Sequence, residues 1–481
     1  MRSLFLPVFL AFVLLAQAQQ VPIIDYDFMA MPPEGTVNKV VVQPDGKILV
    51  GGFFTNYAGS GKQHLVRLNS DGTLDPAWNP GGSGPNHLVE DIDLMPDGRI
   101  LIAGNFVTYN GSPVYFVARL MPNGTRDASF NIPPNTMNNA VHAVALHKDN
   151  KVVAAGDFFV CYGHSQPYIT RFNEDGSLDE DFDIGTGFNN PVYDLLVLPD
   201  QSILCAGKFT QYNGHGCGRV ALLTSGGPYD TAMDNDPGLV GGPARALALQ
   251  PDGKLLVAGE FNYHDSQPAN GIIRLNLDGT RDPSFSSPFY PYANVHAVGI
   301  LPDGRILVGG EYTSSMYVPN VGGPNRVTML NADGNRDDDF GLGQGALPTD
   351  PDNTAFVRSI AVQNDGKILV GGRFGFIDIE DQYQQLVRLK QGVVGIVEQD
   401  QGTSWSVLAD RVNGELVLVN PFTAPGSARL LIHNSAGQLV HQAYLTMGHA
   451  TAQRVPVDLA PGLHLISLQQ GGQRVAAKVV W

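Results

Sequence analysis

The sequence predicts an all-β protein: a seven-bladed β-propeller closed by an N-terminal strand, followed by a small C-terminal β-sandwich. Three observations carry that reading. An Asp-centred turn recurs at Asp45, Asp97, Asp149, Asp200, Asp252, Asp303 and Asp365, with steps of 52, 52, 51, 52, 51 and 62 residues, and a fixed period near 50 marks a repeat array. The chain is turn-rich and charge-poor, with 56 Gly and 33 Pro among 481 residues and 16% charged side chains, which excludes a coiled coil or long helical bundle. One fragment of the repeat is missing at the end of the array and stands orphaned before its beginning.

The apolar content of 43% is too high for a disordered chain. With 30 Lys and Arg against 46 Asp and Glu, the formal charge is −16. A phosphate backbone would be repelled, so nucleic acid is not an expected partner.

The first element is a leader. Arg2 supplies a positive start, Leu4 to Leu15 is an apolar run, and Ala16-Gln17-Ala18 is a small-x-small cleavage site. Residues 1–18 therefore read as a secretory signal peptide, cut after Ala18. No later stretch reaches 18 consecutive apolar residues, so the mature chain is expected to lack a transmembrane segment.

Residues 19–392 hold the repeats. Five of the seven turns keep Asp-Gly, the tight-hairpin dipeptide. Upstream of each turn lies an apolar strand, as in Val37, Val40 and Val42; downstream comes a run such as Ile48-Leu49-Val50. Seven places after each Asp stands Gly (Gly52, Gly104, Gly156, Gly207, Gly259, Gly310, Gly372), and nine places after it an aromatic residue. A third strand usually ends in Arg-Leu, as at Arg67-Leu68 and Arg388-Leu389. The fourth element, expected to be a strand, is Asp-x-x-aromatic: Asp75 to Trp78, Asp127 to Phe130, Asp179 to Phe182, Asp282 to Phe285 and Asp337 to Phe340, with Asp230 to Met233 in the fourth unit. The seventh unit lacks this element, and Asp25 to Phe28 offers the missing copy. Four-stranded units closed into a ring suit a propeller, because closure leaves no bare sheet edge.

The stretches Gln43 to Phe54 and Arg67 to Trp78 resemble the delta-60 repeat family of secreted bacterial proteins. That resemblance implies a propeller and assigns no reaction.

Residues 393–403 read as a linker and 404–481 as the sandwich. Leu416 to Val419, Ala428 to His433, Ala436 to Val440 and Leu463 to Leu468 form short alternating strands. Asn413-Gly414-Glu415-Leu416, Ser435 to Val440, Leu459 to Gly462 and Lys478-Val479-Val480 resemble the type A C-terminal sorting domain of type IX secretion, found in Bacteroidetes. The resemblance implies the type IX machinery as partner, outer-membrane crossing, and release or surface attachment. Leu408 to Arg411 departs from the usual Tyr-Pro-Asn-Pro, and Gly462-Leu463-His464 from Gly-x-Tyr.

Candidate chemistry sits where the inner strands begin. Seven places before each turn Asp stand Asn38, Glu90, His142, Tyr193, Arg245, His296 and Arg358, all polar in a mostly apolar strand. The plain reading is a solvated channel rim. An anionic or sugar-like ligand, or acid–base work, are the alternatives. No catalytic residue, cofactor or metal is assigned. Only Asn38 and Glu90 offer good oxygen donors for Ca²⁺ in such a channel. Of three cysteines, Cys205 reads as a core thiol, and Cys161 and Cys217, on equivalent loops, are a possible disulfide. Walker A, dinucleotide and Gly-x-Ser-x-Gly motifs are absent from the sequence. The expected function is an exported, non-enzymatic binding or scaffold propeller at or near the cell surface, with an unknown glycan or protein as ligand. An extracellular hydrolase or lyase working at the channel mouth is the alternative.

Overall fold

In the computed structural model, the described residues are 20–25, 27–30, 35–233, 236–313, 315, 325–338, 340, 345–348, 355–376, 384–394, 407–410, 415–419, 426–434, 438–447, 452–459, 463–470 and 473–480. The expected leader and its cleavage site at Ala18 lie outside them. So does most of the expected linker.

Strands dominate. Among the described residues the helical content is confined to short 3-10 turns such as Tyr57–Gly59 and Lys148–Asn150. Chain contacts separate Pro22–Lys390 from a second unit, which holds the segment beginning at Gln391 together with the residues up to Val21.

Within Pro22–Lys390, each turn Asp joins an inner strand to a middle strand, and a third strand pairs with the middle one. The first such sheet is Gly35–Val42, Ile48–Phe54 and Leu65–Leu68; the next is Val89–Leu94, Ile100–Gly104 and Val117–Leu120. The pattern continues through Val141–Leu146, Val152–Gly156 and Ile169–Phe172, and ends with Phe356–Val362, Ile368–Phe376 and Gln384–Val394. The middle strands are apolar without alternation because both faces are covered. Ile48 and Val50 pack into one core with Val37, Leu369 and Leu386, while Leu49 packs into another with Val89, Ile92 and Phe106. The cores thus lie between the faces of neighbouring sheets.

The fourth element differs from its expectation. It is not a strand but a turn held by one bridge, as in Leu68 with Leu74 and Leu120 with Arg126. The cause is the Asp side chain. Asp127 Oδ1 accepts the N–H of Ser129 (3.0 Å), curling the chain into an Asx turn, while its Oδ2 accepts from Arg119 Nε (2.7 Å). The Arg119 guanidinium then covers the Phe130 ring at 5.0 Å. The same clasp forms at Arg67–Asp75–Trp78, Arg171–Asp179–Phe182 and Arg274–Asp282–Phe285.

Asp25 to Phe28 makes this clasp with the last sheet. Asp25 N–H donates to Arg388 O (2.7 Å), Arg388 Nε donates to Asp25 Oδ2 (2.8 Å), and the guanidinium covers Phe28 at 4.5 Å. Phe28 is 3% exposed and packs with Val37, Val40 and Leu386. The regular strand at this end is Gln20–Ile24, which pairs with Gln384–Val394.

Beyond Gln391, Val393 and Val394 pair with Ala409 and Leu408, so regular strand runs into the expected linker. Val407–Asp410, Glu415–Val419 and Ala452–Pro456 form one ladder. Leu439–Met447, Gly426–Asn434, Leu463–Gln470 and Gln473–Val480 form another. Leu416, Leu418, Leu430, Ile432, Ile466 and Leu468 share one core.

Candidate functional site

The residue seven places before each turn Asp is the extra residue of a β-bulge. Val37 pairs with Gly52 and Lys39 with Gly51, which leaves Asn38 without a cross-strand partner. The same shift falls around Glu90, His142, Tyr193, Arg245, His296 and Arg358. A bulge re-aims a side chain. The preceding Val or Ala stays in the core, and the bulged residue points the other way, into a shared cavity. The recurrent Gly follows from the bulge. A Cβ on Gly156 would lie 2.3 Å from Ala140 O and 2.8 Å from Val141 Cα, and one on Gly310 would lie 2.0 Å from Asn294 O.

All seven sequence-predicted residues line one cavity of about 540 Å³. Asn38 Nδ2 donates to Glu90 Oε2 (3.0 Å), and the Arg358 guanidinium lies 4.0 Å from the same oxygen. His142 Nε2 is 3.0 Å from Asp157 Oδ2, and its ring centroid is 5.4 Å from that of Tyr193. Arg245 covers the Tyr193 ring at 4.3 Å and donates to Glu260 Oε1 (2.8 Å). Burial, reinforced by Arg245 and Arg358, pushes the His296 imidazolium down to about 3, so His296 is neutral. The hydrogen bond from His142 holds the Asp157 carboxyl below the usual range, and burial raises the Tyr193 phenol.

Four further residues line the cavity: Asp157, Glu260, Glu311 and Asn294. Three of them share a repeat position, eight places after the turn Asp, between the recurrent Gly and the recurrent aromatic residue. That position pairs across the mouth end of the hairpin, as Glu311 does with Asn294. Variation at this one site between two constant ones was the available signal.

Below the mouth, Lys39 Nζ lies 2.7 Å from Asp91 Oδ1. Burial disfavours the Lys39 ammonium, but Asp91 and Asp194 more than offset it and hold its pKa raised. Burial pushes the Asp194 carboxyl up to about 6. Asp91 Oδ2 accepts Val144 N–H (2.9 Å), Asp194 Oδ2 accepts Leu247 N–H (2.7 Å), and Ser359 Oγ accepts Val40 N–H (2.9 Å). These three side chains occupy one repeat position, and each bonds the inner strand of the next sheet.

The possible Cys161–Cys217 disulfide is not formed: both residues are free and buried thiols. Cys161 occupies the core position held by Tyr109 and Tyr212 in neighbouring repeats and packs with Phe130 and Phe158. Cys217 occupies that of Val114 and Ala269 and packs with Phe209 and Tyr212 in a separate core. Burial pushes each thiol up to about 12, and both act as small apolar fillers. Cys205 is a core thiol in the same cluster as Cys217.

Repeated small antiparallel sheets whose inner strands line one polar cavity define a β-propeller domain. Six stretches of the chain, at residues 43–77, 96–130, 147–182, 250–285, 301–340 and 363–384, match the model of a domain of unknown function, the DUF5122 beta-propeller. No curated protein matches the chain. Among solved structures, PorZ of Porphyromonas gingivalis, an essential bacterial surface component of the type-IX secretion system, aligns with a TM-score of 0.42 and 14% identity over 93% of this chain and 60% of its own. The chain therefore spans about 60% of the length of that structure. The extracellular domain of the putative hybrid two component system BT3049 from B. thetaiotaomicron aligns with a TM-score of 0.22 and 11% identity over 92% of this chain and 77% of its own. The Neurospora crassa Pan2 WD40 domain gives 0.26 and 10% over 82% and 94%. Among the described residues no helix is long and apolar enough to cross a membrane.

Proposed function

We propose that the chain is an exported, non-enzymatic β-propeller of seven blades, closed by its N-terminal segment, that binds an extracellular glycan or protein at the mouth of its central cavity. The observation that carries the binding role is the convergence of seven bulged, polar side chains of five residue types on one cavity. Packing needs no such variety at a constant position, whereas recognition does. Closure rests on repeated junction geometry. Arg67, Arg119 and Arg274 reach forward to the carbonyls of Pro122, Glu174 and Ala332 in the next turn, and Arg388 reaches in the same way to Ser70. Export rests on the leader of residues 1–18. The role of residues 404–481, as a β-sandwich that directs type IX secretion to the surface or medium, rests on the sequence resemblance alone.

The His142–Asp157 pair favours a second reading, an extracellular hydrolase or lyase using an oriented imidazole. A screen of glycans and esters against the wild type and a Glu90→Ala/His142→Ala variant separates the two. Binding without turnover is expected; turnover that the double variant abolishes would overturn the non-enzymatic role. The sorting role has its own test: deletion of residues 404–481 should leave a folded propeller in the periplasm. Full-length levels of the truncated chain in the medium would refute it.

A further inference from the structure

An exposed aromatic surface adjoins the polar cavity. Around the Asp252 turn the inner hairpin is longer than its counterparts, Leu239–Leu249 against Leu255–His264. Its middle strand passes the cavity-lining Glu260 and continues to Tyr263. In the following repeat, Tyr290 and Tyr292 come just before the cavity-lining Asn294. The Tyr292 N–H donates to Asn262 Oδ1 (2.8 Å), which ties this loop to the end of the middle strand. Tyr263, Tyr290 and Tyr292 are all exposed, Tyr292 to 75%. Three exposed tyrosines, one on a strand end and two on the loop tied to it, are not required by any core, and such a grouping marks a binding surface.

The cavity itself indicates the chemistry of the occupant. Its charged lining is four carboxylates, Glu90, Asp157, Glu260 and Glu311, against the guanidiniums of Arg245 and Arg358. Arg245 is already bonded to Glu260, and Arg358 lies beside Glu90. With a whole-chain charge of −16, a polyanion is repelled both at long range and at the mouth. Carboxylates and amides are planar groups that accept from, or donate to, two neighbouring hydroxyls at once. A tyrosine ring offers a flat apolar face with a polar edge.

We infer that the cavity mouth takes a neutral oligosaccharide, with one sugar's hydroxyls bonded to the polar lining and the next sugars laid on Tyr263, Tyr290 and Tyr292. This rests on the ligand-binding role proposed above and specifies its ligand class.

The test is affinity electrophoresis of the mature full chain through gels containing soluble β-glucan, xylan or mannan, with polygalacturonate as the acidic arm. Each arm is run at low salt and at about 1 M NaCl, where charge interactions are screened within about 3 Å. Retardation by at least one neutral glycan is expected, unchanged by salt. It should weaken about tenfold in Tyr263→Ala/Tyr292→Ala, equivalent to about 1.4 kcal/mol, with no change in melting temperature because both side chains are exposed. An Asn38→Ala/Glu90→Ala variant should weaken it independently. Retardation by polygalacturonate alone, lost in salt, would overturn the neutral assignment and leave cavity binding standing. Retardation unaffected by either variant would overturn the location, and failure of every neutral glycan would overturn the inference. Cleavage of a glycan is the separate outcome that would overturn the non-enzymatic role.

Discussion

Gly156 and its counterparts connect the repeat to the site. Each lies opposite a bulge, so a side chain there must displace the backbone that aims the cavity residue. Gly156→Ala should cost about 1–3 kcal/mol, the range for forcing extra volume into a packed site, and should weaken ligand retention through a displaced His142. Denaturant unfolding checks it; wild-type stability would mean that the bulge has slack. Asp194 gives a second residue-scale expectation. Its carboxyl is raised to about 6 in the fold, above the unfolded value. The folded state therefore holds the extra proton between about pH 4 and about pH 6, and Asp194's contribution is full below that window and lost as pH rises through it. Asp194→Asn keeps an acceptor for Leu247 N–H and should remove this downward slope. Melting temperatures of both proteins across the window give the comparison, and parallel curves would contradict the assignment. Asp127, held at about 2 by its hydrogen-bonded clasp against the cost of burial, loses its contribution only at lower pH, so the two effects separate.

The Arg–Asp–aromatic clasp ends five of the repeats, at Arg67, Arg119, Arg171, Arg274 and Arg388. Arg119 is 1% exposed and its partner Asp127 is also buried. Arg119→Ala removes the nearest cation from that carboxylate, leaving Arg99 Nη1 at 3.4 Å, and should cost about 3 kcal/mol, the lower end for breaking a buried pair, read by chemical denaturation; a loss below about 1 kcal/mol, the level of a surface pair, would contradict the clasp. Two repeats lack the Arg: Leu222 stands in its place in the fourth, where Asp230 is half-buried, and Met329 in the sixth, where Asp337 stays buried and bonds Arg305 (3.2 Å) instead. These elements also show what the sequence could reveal. The turn Asp, the Gly and the aromatic residue were legible because they recur, and recurrence reports packing. The inner positions Asn38 to Arg358 were legible because they break an apolar pattern. Asp157, Glu260 and Glu311 do not stand out in the sequence because the position eight places after the turn also holds Phe53, Asn105, Lys208 and Arg373, so no residue type marks it. The clasp reads as a strand in the sequence because Asp-x-x-aromatic fixes a spacing, while the Asx turn depends on where each carboxylate oxygen bonds.

For the molecule as a whole, closure decides whether the cavity exists, because its lining comes from the first sheet and the last alike. Phe28 and Phe130 offer an internal comparison. Each sits under the guanidinium of a third-strand Arg, Arg388 and Arg119 respectively, and each is almost fully buried. Phe130 belongs to an interior junction; Phe28 belongs to the one between the last sheet and the first. The most direct measurement is the unfolding free energy of Phe28→Ala beside that of Phe130→Ala in the same protein. A closed ring predicts similar losses, each about 3–5 kcal/mol. A full loss for Phe130→Ala with less than about 1 kcal/mol for Phe28→Ala, the range of a surface change, would contradict closure by the N-terminal segment.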